Sequence, residues 1–88
     1  MKNKILQEFL DSDVIIKSTT KLEEYIDFCI YNNQKAKIKS KTEYHHILPK
    51  ALFEEYSKLS SHLWNGTHLL FEDHYIAHSM LAEALNSL

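Results

Sequence analysis

No arginine occurs in this 88-residue chain, and cysteine, glycine and proline occur once each. Each scarcity excludes something. A lone Cys29 cannot close an internal disulfide, and without a CxxC pair no thiolate zinc site can be built, so a disulfide-stapled secreted scaffold is ruled out and a reducing compartment is expected. Cys29 is expected to pack as a small hydrophobe beside Ile26. Long apolar runs are missing too. After Met1-Lys2-Asn3-Lys4 the apolar positions are broken by Gln7, Glu8 and Asp11, which leaves no signal-peptide core, and nothing approaches the ~20 apolar residues that cross a bilayer. A soluble, cytoplasmic protein is expected. The ten lysines are outweighed by twelve acidic residues, for a formal charge of -2, so the chain is not a module that holds nucleic acid by charge alone. An enzyme that engages phosphates through a bound cation needs less charge of its own.

What is present describes a folded, helix-rich domain. Apolar residues make up 44% and charged residues 25%, with five tyrosines and four phenylalanines, which excludes a disordered tail. A single domain of this size buries only about 60 to 65% of its unfolded surface, so its core is thin and a bound metal would serve as a staple.

Ile5, Leu6, Phe9 and Leu10 recur at helical spacing and predict a short helix over 3–11. Thr20-Lys21-Leu22-Glu23 has the pattern of a capping box, followed by a stripe of Leu22, Ile26, Cys29 and Ile30 that ends near Asn32-Asn33. These two helices form an N-terminal extension, 1–34, ahead of a core at 35–88. Lysine at every second position from Lys35 to Lys41 predicts a strand with one charged face, either lying along a phosphate backbone or blunting a sheet edge. Residues 42–47 read as a strand ending before Pro49, and Leu52, Phe53 and Tyr56 as inward-facing positions of a short helix or loop. A loop follows over 57–66, in which Trp64 anchors the core and His62 is exposed. A second strand over 67–71 and a helix over 72–88 complete the chain, with Leu81 and Leu85 on the face that carries His74 and His78. The overall class is α+β.

All six histidines lie between positions 45 and 78. Spacing of four places His74 and His78 on neighbouring turns of one helix face, where both can reach one cation, though such a pair also occurs as two half-buried core histidines. His45 and His46 are adjacent on a strand and point to opposite sides, so one can face a metal and the other a substrate. Phosphodiester hydrolysis needs that division: a cation for the charge on the phosphate, and a separate base, for which imidazole suits neutral pH.

The segment Glu43-Tyr44-His45-His46-Ile47-Leu48-Pro49-Lys50, with Asn65 and His74-Tyr75-Ile76-Ala77-His78, resembles the HNH endonuclease family over residues 42–85. The order and the spacings, nine residues from Asn65 to His74 and four to His78, are similar to the histidine-rich branch that includes the DNase colicins. The context of Ala77 and Leu81 is similar to free-standing phage enzymes. Thr or Ser often caps the final helix in that family, whereas Leu70 stands here; Glu72 and Asp73 still complement the helix dipole.

The resemblance implies a ββα-metal (His-Me finger) core, with His45, His74 and His78 holding one divalent ion, Zn²⁺, Ni²⁺, Mg²⁺ or Mn²⁺. It makes His46 the general base and gives Asn65 a catalytic role in tying the loop to the strand and orienting that base. Lys37, Lys39, Lys41 and Lys50 are candidates for contact with DNA, the implied partner. The chain would be a monomer or homodimer in a bacterial or phage-infected cell, with a homing or defence role. His68 is expected as a partly buried strand residue. A metal-stabilised binding module without turnover is the alternative on the same fold, and a structural helical protein with incidental histidines is another.

Overall fold

Ile5 and Phe9, four residues apart, vanish from solvent on one side of α1 (Lys2–Asp11). The computed structural model describes residues 1–34 and 41–85, a small α+β domain of three helices and a two-stranded antiparallel sheet. In α2 (Thr19–Tyr31) the cap is Ser18, two positions before the expected Thr20; its side chain accepts from the Lys21 amide at 3.1 Å. Lys21 then stands where a capping box needs glutamate, so the reciprocal half of the motif is absent. The buried stripe is Leu22, Tyr25, Ile26 and Cys29. Ile30, expected in that stripe, is 41% exposed because it lies roughly a quarter turn around the helix from the stripe's centre.

The expected lysine strand, with Lys37 and Lys39, lies outside the described residues. Lys41 is exposed just ahead of β1 (Thr42–His46), which pairs with β2 (Gly66–Leu70) in the register Thr42↔Leu70, Tyr44↔His68, His46↔Gly66. His45, Thr67 and Leu69 turn inward, while Tyr44, His46 and His68 take the outer face. Gly66 leaves room there for the Tyr44 ring, which leans across the strand pair; a Cβ would displace that ring. Between the strands, Phe53 is buried and Leu52 and Tyr56 are half-buried, as expected, around a 3₁₀ turn at Glu54–Tyr56. Trp64 sits at the edge of the core with the Lys4 ammonium 4.7 Å above its ring.

The last helix, α3 (Phe71–Ala84), is shorter than its apolar pattern predicts. Leu85 is extended and bridges to Ile16, because the connection between α1 and α2 takes over the helix end: Lys17 and Ser18 amides both donate to the Ala84 carbonyl. Leu85 therefore reaches the core as a bridge residue, and Leu81 alone continues the histidine face of the helix. The N-terminal helices are part of the same core. Phe9 meets Phe53 edge to face at 5.3 Å, and the Tyr56 hydroxyl donates to Glu8 at 3.0 Å. Among the described residues no helix is long and apolar enough to cross a membrane.

Candidate metal centre

β1 delivers His45 from the sheet and α3 delivers His74 and His78 from successive turns. One nitrogen of each ring lies within 4.8 Å of the others, so these three residues are close enough to hold a metal ion. Their hydrogen bonds decide which nitrogens are offered. The Tyr25 hydroxyl, fully buried, donates its only proton to the Ile47 carbonyl at 2.7 Å and lies 2.8 Å from His45 Nε2. A carbonyl cannot donate, so Tyr25 must accept from His45 Nε2–H, and Nδ1 is left as the nitrogen with a lone pair to offer a cation. Glu43 Oε1 lies 2.7 Å from His74 Nδ1 and holds a proton there, which leaves His74 Nε2 free. That atom accepts from His78 Nε2–H at 3.1 Å, a bond that a shared cation would replace. Two nitrogens bound to one tetrahedral zinc ion stand about 3.3 Å apart, so this pair already has the separation that shared ligation needs.

Protonation favours the same use. Burial, reinforced by His74, His78 and His46, lowers the pKa of His45 to about 3. His78 is lowered as well, by burial and by His74, with Glu43 opposing. At neutral pH His45 has no proton for a cation to displace. The metal-free chain carries a consequence of this. Below the unfolded value of 6.5 the unfolded chain protonates His45 while the folded chain does not, so stability is fully present above that pH and is lost as pH falls from 6.5 toward 3. With chelator present, the urea midpoint is expected to be lower at about pH 5 than at about pH 7.5; equal midpoints would contradict a buried neutral His45.

His46 is outside the triad. Its Nε2 is 2.8 Å from the Ser57 carbonyl, which can only accept, so Nε2 carries the proton and Nδ1 keeps its lone pair. His46 shares a cleft of about 400 Å³ with Tyr44, His45, Lys50, His74 and His78. A larger cleft, about 520 Å³ between residues 12–15 and 51–55, has only Ser12, Asp13 and Glu55 as polar lining and no ligating cluster.

Compared with family models, curated proteins and solved structures, the chain matches none.

Asn65 is fully buried, and its side-chain hydrogen bonds go to residues other than His46. Its Oδ1 accepts from the Leu48 amide at 2.6 Å, and its Nδ2 donates to the Leu48 and Tyr56 carbonyls, both at 3.2 Å. It clamps the exit of β1 to the loop whose next residue, Ser57, holds His46. These bonds tie the loop to the strand, and Asn65 is linked to His46 through the loop that carries Ser57. Lys50 lines the cleft and is exposed, whereas Lys41 is not among the residues lining it. His68 stacks on Tyr44 away from the triad, and is half-buried as expected. His62, expected in solvent, is half-buried against Tyr56 and Trp64, because the 3₁₀ turn at Leu63–Asn65 folds it back on them.

Two residues that orient these histidines were not singled out from sequence. Glu43 had a readable signal, since it lies two residues before His45 and so on the same side of β1. Tyr25 had none.

Proposed function

We propose that this chain is a metal-dependent endonuclease of the HNH kind, with β1, β2 and α3 as a ββα-metal core, hydrolysing phosphodiester bonds in DNA. The observation that carries this reading is the fourth histidine. A purely structural metal site has no use for His46, which is held through Nε2 by a backbone carbonyl and lines the same cleft as the triad.

His45 Nδ1, His74 Nε2 and His78 would hold a divalent cation, which would supply positive charge against the phosphate oxygens and the departing oxygen. His46 Nδ1 takes a proton from the attacking water, and the Ser57 carbonyl keeps the ring oriented while it carries the extra charge. The new bond joins the water oxygen to phosphorus, the bond to the 3′-oxygen breaks, and that oxygen takes a proton from solvent. Products carry 5′-phosphate and 3′-hydroxyl ends. Lys50 offers a positive charge at the mouth of the cleft for a phosphate. Neutral imidazoles favour Zn²⁺, Ni²⁺ or Co²⁺ over Mg²⁺, which prefers oxygen donors.

The test is incubation of metal-stripped protein with supercoiled plasmid, adding Mg²⁺, Mn²⁺, Ni²⁺ or Zn²⁺ in turn. Nicking or linearisation that depends on the added metal is expected. No cleavage with any of them, alongside tight metal binding, would replace this reading with that of a metal-stabilised binding module.

A further inference from the structure

Beside the histidine cleft, the outer face of the strand pair opens into a second cleft of about 450 Å³, lined by Tyr44, Leu63, Trp64, Gly66 and His68. Tyr44 and His68 lie flat on each other, ring centroids 4.2 Å and planes 4° apart, and Gly66 leaves the space that the tyrosine ring enters. Tyr44 is 43% exposed and is the residue that the linings of the two clefts share. Tyr44 and His46 share one face of β1 two residues apart, about 6.6 Å along the strand. A ring stacked on Tyr44 is therefore within reach of the nucleotide next to a phosphate attacked beside His46.

The charge of the chain bears on what binds here. With no arginine and a net charge of -2, it gains little from the phosphate contacts and counterion release that dominate binding to duplex DNA. Stacking on an aromatic ring needs no charge and accepts any base, because every base has a π-face. A base inside a duplex has both faces covered by its neighbours and reaches a protein ring only after leaving the stack.

We propose that the Tyr44–Trp64–His68 cleft is a nucleobase subsite that takes an unpaired base adjoining the phosphate at the histidine centre, so that the substrate is single-stranded or locally melted DNA. The placement of the phosphate rests on the nuclease reading; the stacking is tested apart from it. The full chain, stripped of metal and at low salt, is titrated into a single-stranded oligonucleotide carrying 2-aminopurine and, separately, into the same strand in a duplex. The single strand is expected to be quenched on binding and to bind more tightly than the duplex. Tyr44→Leu is expected to weaken it about 5- to 150-fold, while Tyr44→Phe, which keeps the ring, retains affinity and quenching. Absence of quenching, equal binding by Tyr44→Leu, or equal affinity for the duplex would overturn the subsite. Plasmid cleavage persisting in that case leaves the nuclease reading standing, whereas stacking without cleavage under any metal leaves the subsite and removes the nuclease.

Discussion

Replacing His46 with alanine is expected to slow metal-dependent plasmid cleavage by about 10²- to 10⁴-fold, the usual worth of a positioned general base. Metal affinity is expected to stay at the parent value. The separation of these two effects follows from geometry, since His46 is not among the three residues whose nitrogens converge. Its substitution removes one hydrogen bond, to a backbone carbonyl in a half-buried position, so the stability cost is about 1 kcal/mol and the fold survives. His46→Gln sharpens the comparison: its amide can still donate to the Ser57 carbonyl but cannot take a proton from water. Cleavage by either variant at the parental rate would remove His46 as the base. A loss of metal affinity in both would mean that His46 belongs to the ligand set.

The second large effect is expected far from the cleft in sequence. Tyr25→Phe leaves the His45 Nε2–H and the Ile47 carbonyl without their shared partner in the core. The imidazole is then free to exchange tautomers, and the form with Nδ1 open to a cation is no longer enforced. Loss of such a supporting bond typically lowers metal affinity about 10- to 100-fold. The unpaired buried groups add a stability cost of about 1 to 3 kcal/mol. Competition with a coloured chelator measures the first, and nitrogen NMR of the His45 ring reads the tautomer directly. Tyr31→Phe, at a site 88% exposed on the same helix, is the control and is expected to change neither. Unchanged affinity in Tyr25→Phe would show that the fold alone orients His45.

The contrast between these residues shows what could be read in advance. His74 and His78 were legible because helical spacing alone puts them on one face, and His45 and His46 because strand alternation divides them. Period two also put Glu43 on the side of His45, where it meets His74, so that partner was readable in principle. Tyr25 was not, because its bond to His45 spans 20 positions and depends on how α2 lies against the sheet. The Ser57 carbonyl was hidden for another reason: every residue has one, and only the folded path of the loop brings this one to His46. The end of α3 was misjudged because Leu85 fits the helical period, while the carbonyl of Ala84 is claimed by Lys17 and Ser18 from the far end of the chain. The α2 cap shifted to Ser18 because Ser18, Thr19 and Thr20 are all competent caps, and local pattern does not choose between them.

The convergence of His45, His74 and His78 on one ion is tested most directly by titrating Co²⁺ into the metal-stripped chain. Visible absorption reports coordination, and histidine NMR reports which rings respond. One ion per chain is expected, with the rings of His45, His74 and His78 shifting through His45 Nδ1 and His74 Nε2, and with His62 and His68 unmoved. No saturable binding, or binding that leaves His45 unperturbed, would contradict it.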